Sequence, residues 1–294
     1  MRDYCDLHTH STESDGTLTP REIILAAKEL GLAYVALTDH DTIAGIPEAL
    51  CAAEEMGVEL ITGVELSVEC AGLPIENAKQ RSIHVLAYFS HENIYKMSQY
   101  QECLKEYRQE RNAKMIEKAK IIGMPISLAE LKKYSSGEII SKGHFYRVLI
   151  EKGYAKDKDD AFNRFLNPGG LIYAKKRKLT PKEAIEIIKK YQGVAVVAHP
   201  LLIGLNDSEL DSTISYLKGL GFDGLEAVYG ESSENQVTRV IELAVRHSMF
   251  VTGGSDFHGE TKPGLKLGTG YGSLRVPKIL AENILKRICV DLAK

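Results

Sequence analysis

The stretch DLHTH, from Asp6 to His10, decides how the fold of this chain is interpreted. It ends a short alternation of apolar and polar residues (3–8), which predicts a β-strand. Side chains two apart on a strand lie on the same face, about 6.6 Å apart along it. His8 and His10 would therefore point into one cavity and reach one cation. Such a pair can also be structural, because a lone core histidine more often bonds to the backbone.

Six more strand candidates follow, at intervals that leave room for helices between them. They span residues 34–38, 60–64, 82–88, 194–198, 223–228 and 249–253. Thr19 before Pro20 and Thr180 before Pro181 have the pattern of a helix N-cap with proline at the first helical position. Seven strands alternating with helices predict an α/β fold with a parallel sheet, most economically closed into a (β/α)7 barrel.

Residues 92–170 break this alternation. A long polar helix pattern (93–122) is followed by shorter ones, and no convincing strand falls among them. The turn Asn167-Pro168-Gly169-Gly170 marks the return to alternating elements. We therefore expect a barrel formed by residues 1–91 and 171–294, with a helical cap subdomain (92–170) inserted between two of its strands.

Charge is distributed unevenly along the chain. The net charge is −3, but residues 91–180 hold 19 Lys and Arg against 11 Asp and Glu, which leaves 18 against 29 in the remainder. An acidic part suits a site that collects cations, and a basic segment beside it would attract an anionic substrate. The alternative is that the charges of 91–120 only solvate helix faces.

Neither a secretory signal nor an apolar run approaching the roughly 18 residues of a membrane span is evident. The five cysteines are odd in number and form no C-x-x-C pair, which argues against a disulfide framework and a zinc knuckle. We expect a soluble, cytoplasmic protein without a membrane contact or an obligate protein partner.

Seven further imidazole and carboxylate side chains stand in or beyond the predicted strands. They are Asp15, His40, Glu65, His84, His199, Asp256 and His258. Catalytic groups of a parallel barrel gather at the carboxyl ends of its strands, so these residues are expected to converge on the His8 and His10 pair. Nine such groups in one cavity would repel one another or stay unsatisfied unless cations organised them.

Nine ligands are too many for one ion, because a catalytic zinc site typically uses three protein ligands and keeps one position open. The nine ligands divide most naturally among three divalent ions. The mixture of imidazole nitrogen and carboxylate oxygen suits Mn²⁺, Zn²⁺ or Fe²⁺, and it is too rich in nitrogen for a dedicated Ca²⁺ or Mg²⁺ site.

The motifs around these residues resemble those of the PHP family, the polymerase and histidinol phosphatase group. They are DLHTH (6–10), TDHD (38–41), GVE (63–65), the His84 of IHVLAY (83–88), AHP (198–200) and GSDFH (254–258). The resemblance implies a distorted seven-stranded β/α barrel with a trinuclear metal site and a metal-activated water that acts on a phosphate ester.

The family pattern also implies how the ligands divide. One ion would lie on His8, His10, Glu65 and Asp256. A second would lie on Glu65, as the bridging carboxylate, with His84 and His199. The third would lie on Asp15, His40 and His258, and some relatives have His at the position of Asp15, so the metal preferred there can differ.

A water between two ions can ionise at neutral pH. We expect hydroxide held in this way near Glu65, Asp256 and His199 to attack phosphorus in line. A nucleophilic side chain would then be unnecessary, and the sequence contains neither a G-x-S-x-G nor a C-x₅-R arrangement that would supply one.

Candidate substrate contacts come from the predicted cap and from the segment after it. His144 and Arg147 are three apart and would share a helix face. Lys175, Lys176 and Arg177 follow in a basic run. Arginine is the better phosphate ligand because its planar fork can donate two hydrogen bonds. The alternatives are a surface helix pair and a solvated basic run.

The cap and the barrel motifs together resemble the nucleotide branch of the family. That branch removes phosphate from nucleoside monophosphates or 3′,5′-bisphosphates, or trims short RNA from its 5′ end. A histidinol-phosphate phosphatase would use the same metals, and a polymerase-attached module would need more chain than 294 residues. The alternative of another class is a non-catalytic module that binds metal or nucleic acid. The complete set of expected ligands argues against a site that has lost activity, and the pI near 6.3 argues against a general nucleic-acid-binding protein.

Overall fold

A computed structural model describes residues 3–76, 78, 81–135 and 140–289. Its strands form one sheet in the order β7-β6-β5-β4-β3-β2-β1-β8, which curls into a nearly closed barrel. The strands are β1 (Tyr4–Asp6), β2 (Tyr34–Leu37), β3 (Glu59–Glu69), β4 (Ser82–Phe89), β5 (Val194–Val197), β6 (Gly224–Tyr229), β7 (Phe250–Gly254) and β8 (Val276–Pro277). All seven predicted strands form, and the α/β barrel is confirmed. The short β8, which pairs antiparallel with β1, was not predicted.

The prediction of a wholly parallel sheet was wrong at β4. This strand runs antiparallel to both β3 and β5. The physical reason is that the described residues between β3 and β4 (70–76, 78 and 81) contain no α-helix, and antiparallel neighbours need no crossover connection. Because β4 is reversed, its beginning lies beside the end of β3, where His84 is opposite Ser67. His84 therefore lies at the same end of the barrel as Glu65.

The barrel closes through the segments that follow β1 and β7. The Leu7 N–H donates to the Gly253 carbonyl (3.2 Å), and the Asp256 N–H donates to the His8 carbonyl (2.9 Å). Two residues further on, His10 N–H donates to the Phe257 carbonyl (2.9 Å). The two motifs richest in predicted ligands are therefore hydrogen-bonded side by side.

The helices of the described ranges cover the outside of the sheet and fill one end of it. They are α1 (Pro20–Glu29), α2 (Ile46–Met56), α3 (His91–Tyr95), α4 (Ser98–Ile121), α5 (Leu128–Lys132), α6 (Lys142–Glu151), α7 (Lys158–Ala161), α8 (Pro181–Lys190), α9 (Asp207–Leu220), α10 (Glu234–Arg246) and α11 (Ile279–Cys289). Thr19 and Thr180 cap α1 and α8 as predicted, each with proline after it. No helix in these ranges combines the length and apolar character needed to cross a membrane.

The apolar core has two layers in the barrel. The outer layer lies between the sheet and helices α1, α2, α8, α9 and α10. The inner layer fills the barrel around Ile61, Leu86 and Tyr88, and Ile284 of α11 belongs to it. Helix α11 therefore plugs the end of the barrel where the parallel strands begin, so the end where they finish remains for polar side chains.

Helices α3 to α7 all lie between β4 and β5, followed by a π-helical turn at Phe162–Leu166. They contain an apolar cluster of their own, centred on Phe145, Leu149 and Phe165. The long helix expected over 93–122 is divided, since α3 ends at Tyr95 and α4 begins at Ser98. The boundaries of a separate cap subdomain (92–170) stay a prediction.

The closure of the barrel leaves no space for a side chain at Gly254. An added Cβ would lie 2.4 Å from the His8 Cβ and 2.5 Å from the His8 nitrogen. We expect Gly254→Ala to lower the free energy of unfolding by about 1–3 kcal/mol, because overpacking forces the two motifs apart. Urea denaturation measures this.

Gly219 is the matched control, since it lies exposed in α9 and an added Cβ meets no atom within 4 Å. Gly219→Ala should leave stability unchanged or raise it by up to about 1 kcal/mol. Equal stability of the two variants would show that the approach to His8 is not tight.

Candidate metal centre

The nine predicted ligands meet around Glu65. This residue lies in β3, is completely buried, and has a carboxylate 2.7–3.4 Å from imidazole nitrogens of five histidines on four other segments of the chain. Those nitrogens belong to His8, His10, His40, His84 and His199. The carboxyl ends of the parallel strands and the reversed β4 therefore deliver their side chains to one point.

Asp256 and Asp15 extend the cluster to either side of Glu65. Asp256 Oδ1 lies 3.2–3.4 Å from nitrogens of His8, His10 and His258. Asp15 Oδ1 lies 3.3 Å from His258 Nε2 and 3.9 Å from His40 Nε2. All nine side chains thus form one continuous array.

The donor atoms of this array fit divalent cations. Three sets of ligand atoms lie within 4.8 Å of one another: His8, His10 and Asp256; His40, Glu65 and His84; and His10, Asp15, His40 and His258. Several of these atoms are buried without a hydrogen-bond partner, namely His8 Nε2, both ring nitrogens of His10, His40 Nδ1, Asp15 Oδ1 and Glu65 Oε2. Buried polar atoms are normally satisfied, and a cation on the imidazole and carboxylate atoms would satisfy these.

Two cavities open onto the array. The smaller one, of about 220 Å³, is lined by Asp15, His40 and His84 on one side and by cationic side chains on the other. Those cationic side chains are Arg108, Arg111, Lys142, Lys176 and Lys178. The larger cavity, of about 520 Å³, shares Asp15, Ser141 and Lys142 with the smaller one.

The predicted substrate residues are divided by the structure. His144 and Arg147 line the larger cavity, and Lys176 lines the smaller one. Lys175 lies 3.6 Å from the Glu69 carboxylate, and the Arg177 guanidinium lies over the Tyr107 ring, 4.6 Å from its centroid. Alternate side chains of an extended segment point to opposite sides, so the run does not face the array as a unit.

The sequence was compared with protein families and with proteins of known structure. The model of the PHP domain matches residues 6–198, about two thirds of the chain. The chain belongs to the PHP domain family.

Relatives of similar length match this PHP domain over most of both chains. A 5′-3′ exoribonuclease of Haemophilus influenzae is 34% identical over 86% of this chain and 89% of the relative. A 3′,5′-nucleoside bisphosphate phosphatase of Chromobacterium violaceum is 30% identical over 90% of each. A crystal structure from Bifidobacterium adolescentis, provisionally assigned as a metal-dependent phosphoesterase, is 31% identical with a TM-score of 0.79, over 99% of this chain and 98% of the other.

Buried carboxylates that the sequence analysis missed support the PHP array. Asp39 accepts hydrogen bonds from the Ser11 N–H (2.7 Å) and from the Ser14 hydroxyl (2.5 Å), which holds the loop carrying Asp15. Asp6 accepts from the Ser255 N–H (2.8 Å) beside Asp256. The available signal was their place in the motifs themselves, since Asp6 and Asp39 each lie one or two residues before a predicted histidine ligand.

The cations of the smaller cavity were missed apart from Lys176. Arg108 donates to Asp41 Oδ2 (2.7 Å), and Lys176 is paired with the same oxygen. Asp41 in turn accepts from the Ser67 N–H (2.8 Å) at the end of β3. Asp41 therefore ties the cationic wall to the strand that carries Glu65.

The backbone is strained at three places in this site. Asp41, His199 and Asp256 have positive φ angles of 54°, 28° and 57°. Residues other than glycine rarely adopt this region, and such strain persists only where surrounding contacts impose it. Its concentration at the ends of the strands indicates that the positions of these side chains are imposed at a cost in stability.

Two of the imidazoles are held in the protonated form by neighbouring carboxylates. Burial alone would lower the pKa of His8, but Glu226, Asp256 and Glu65 overcome it and raise the pKa well above its ordinary value. Burial opposes protonation of His40 as well, yet Glu65 and Asp15 raise its pKa to about 9. Without a cation, these shifts favour the imidazolium form of both rings at neutral pH, and a cation that binds them must displace one proton from each.

Metal binding should therefore release protons and strengthen with pH. Between pH 6 and 8 we expect Mn²⁺ affinity to rise and about two protons per chain to be released, because imidazole binds metal only in its neutral form. The gain should end near the His40 pKa of about 9, where the ring loses its proton unaided. Calorimetric titration with Mn²⁺ in buffers of different ionisation enthalpy measures both quantities. An affinity that is flat over this range would contradict the protonated state.

Proposed function

We propose that this PHP domain is a divalent-metal-dependent hydrolase of nucleotide phosphate esters, acting on a 3′,5′-bisphosphate or on the 5′ end of short RNA. The observation that carries the proposal is the direct junction between the ligand array and the cationic cavity, which share Asp15, His40 and His84. A phosphate seated there would contact the proposed metal ligands on one side and guanidinium groups on the other.

The nine side chains of the array are the proposed ligands of three ions, of which Mn²⁺, Zn²⁺ and Fe²⁺ suit the donor atoms best. Divalent ions bound there supply Lewis-acid stabilisation of phosphoryl oxygens and lower the pKa of a water. Glu65 presents both of its oxygens, Asp256 its Oδ1 and His199 its Nε2 toward the centre of the array. The other oxygen of Asp256, Oδ2, accepts hydrogen bonds from Tyr229 and Lys262. The role of the side chains is to hold that geometry and to balance the positive charge.

Arg111 is the strongest candidate for a phosphate contact made by the chain itself. Its guanidinium is buried, donates to the Ile140 carbonyl (3.2 Å), and has an Nε without a hydrogen-bond partner. Burial, together with the neighbouring Arg108, lowers the pKa of Arg111 to about 9. A buried guanidinium without a carboxylate contact among the described residues is unfavourable, and an anionic substrate would relieve this.

His144 is proposed to donate a hydrogen bond to the substrate. Its Nδ1 accepts from the Ser141 N–H (3.1 Å), so the neutral ring carries its proton on Nε2. Burial lowers the pKa of His144 to about 4, which keeps the ring neutral at pH 7. The ring lines the larger cavity beside Asp15, at the boundary between that cavity and the array.

The larger cavity suits a nucleoside with a second phosphate. Its wall combines the aromatic rings of Tyr134, Tyr146 and Phe162 with the cations Arg147 and Lys158. Aromatic side chains stack on bases of any sequence, and cations bind the phosphates that join them. A volume of about 520 Å³ is more than a small ester such as histidinol phosphate requires. The two relatives above, a 5′-3′ exoribonuclease and a 3′,5′-nucleoside bisphosphate phosphatase, support the same choice.

The cap expected over 92–170 supplies His144, Arg147 and most of the other residues of this cavity. We propose that the cap selects the ester, while the barrel (1–91 and 171–294) performs the hydrolysis. Of the basic run 175–177, only Lys176 is retained as a proposed substrate contact. The side chains of Lys175 and Arg177 lie against Glu69 and Tyr107.

The function is tested by phosphate or nucleotide release from four substrates with Mn²⁺. They are AMP, adenosine 3′,5′-bisphosphate, a 5′-phosphorylated short RNA and histidinol phosphate. We expect turnover of the bisphosphate or the RNA, its loss with chelator, and a fall of roughly 100-fold or more in Asp256→Asn, because the carboxylate would hold a cation that stabilises charge at the reacting centre. Turnover of histidinol phosphate alone would overturn the choice of substrate. Unchanged activity in Asp256→Asn would overturn the metal mechanism.

A substitution of Arg111 tests substrate binding separately from the chemical step. Arg111→Gln should raise KM for the bisphosphate by roughly 10- to 100-fold, because a hydrogen bond to a charged group contributes about 1.5–3 kcal/mol. The effect on kcat should be smaller. Steady-state kinetics measures both. Arg239→Gln, at an exposed arginine paired with Asp207 on the outer helices, is the matched control and should leave KM unchanged. A normal KM in Arg111→Gln would remove this residue from the site.

A further inference from the structure

Glu226 is a buried carboxylate of the barrel interior that lies outside the nine predicted ligands. It belongs to β6, and only 1% of its surface is exposed. Its Oε1 lies 3.0 Å from His8 Nδ1, and its Oε2 accepts a hydrogen bond from the His199 N–H at 2.8 Å. One carboxylate thus contacts two of the proposed ligands, which lie 191 residues apart in the sequence.

We propose that Glu226 is a positioning residue that orients His8 and His199 for metal binding. This inference rests on the metal-dependent function proposed above. Histidine ligands commonly donate their second ring N–H to a carboxylate, which fixes the tautomer and the orientation of the ring.

The contact with His8 determines which ring nitrogen faces the array. With Nδ1–H donated to Glu226, the other nitrogen, Nε2, is the one left for a cation. His8 Nε2 lies 3.4 Å from both Glu65 Oε2 and Asp256 Oδ1 and has no hydrogen-bond partner. His8 is completely buried, and Glu226 is the acceptor that its Nδ1 meets.

The contact with His199 is made to the backbone. His199 has φ 28° and ψ 59° directly after β5, a conformation that a residue other than glycine rarely adopts. The hydrogen bond from its N–H to Glu226 stabilises this turn. From the turn, His199 Nε2 reaches Glu65 Oε1 at 3.1 Å. Removing the carboxylate would therefore disturb a second ligand through the chain itself.

Side chains alternate along β6, and this alternation points Glu226 into the barrel. Glu226 faces His8 inside, while Leu225 and Ala227 on either side of it pack in the outer core. Glu226 is paired with Thr252 and Val228 with Gly253, so a β-bulge with Ala227 as the extra residue follows it. A charged residue within the apolar run GLEAV was the sequence signal for Glu226.

The variant Glu226→Gln tests this role. A glutamine side chain can accept a hydrogen bond from only one of the two N–H groups, those of the His8 ring and the His199 backbone. Its NH₂ group would face the other N–H, and two donors cannot form a hydrogen bond. We expect the dissociation constant for Mn²⁺, measured by calorimetric titration, to rise roughly 10- to 100-fold, as found for other partners of metal-binding histidines.

Asp223→Asn is the matched control at the start of the same strand. Asp223 accepts from the Ala195 N–H (2.8 Å) and from Lys189 Nζ (2.5 Å), outside the array. This variant should bind Mn²⁺ with the affinity of the unmodified protein even if it melts at a lower temperature. A merely structural role for Glu226 would make the two variants alike.

A second measurement needs no variant. In Zn²⁺-loaded protein with ¹⁵N-labelled histidine, NMR should find the His8 proton on Nδ1. A His8 proton on Nε2, or Mn²⁺ affinity in Glu226→Gln equal to that of the unmodified protein, would overturn the positioning role and leave the proposed function intact. Failure of the unmodified protein to bind Mn²⁺ or Zn²⁺ would overturn both.

Discussion

The structure depends on the burial of the Glu65 carboxylate among five imidazoles. A carboxylate in a barrel interior is unfavourable unless compensated, and the histidines that compensate it would repel one another without it. Glu65 also joins elements that are distant in sequence, since its neighbours come from the first, second, fourth and fifth strands of the barrel or their ends. The positive φ angles at Asp41, His199 and Asp256 show that the backbone is bent to meet this arrangement. Burial of the apolar core, which includes α11, offsets the unfavourable free energy of this polar centre.

The second organising feature is the separation of charge around that centre. Carboxylates and imidazoles lie on the barrel side, and guanidinium and ammonium groups lie on the helices inserted after β4 and on the segment 174–178 that follows them. Asp41 is the point at which the two halves are joined, because it binds Ser67 of β3 on one side and Arg108 and Lys176 on the other. Removing water from between a cation cluster and an anion cluster strengthens the field across the gap. A phosphate ester bound there would supply contacts to the cations on one side and, through bound metal ions, to the carboxylates and imidazoles on the other.

Much of this site could be predicted from the sequence because its ligands lie in short motifs at strand ends. His8, His10 and the motifs around His40, Glu65 and Asp256 needed only the rule that strand ends of a barrel converge. The direction of β4 could not be predicted, since an apolar run reads the same in a parallel and an antiparallel strand. Arg108 and Arg111 were missed because α4 is polar on all sides, and no pattern distinguishes an arginine facing a cavity from one facing solvent. Glu226 was overlooked because its partners, His8 and His199, lie 218 and 27 residues away.

The reversal of β4 has a consequence for how such enzymes diversify. Because β4 ends at the plugged end of the barrel and β5 begins there, the whole connection between these strands (90–193) leaves and returns far from the array, and its middle part reaches the smaller cavity. At the plugged end of the barrel, the side chains of Asn93 and Gln192 are hydrogen-bonded to each other (3.0 Å). From there α4, which is about 36 Å long, runs toward the end that carries the array. Changing the length of a connection anchored in this way costs little free energy. The part proposed to select the ester can therefore vary, while the two strands that bound it keep their places in the barrel.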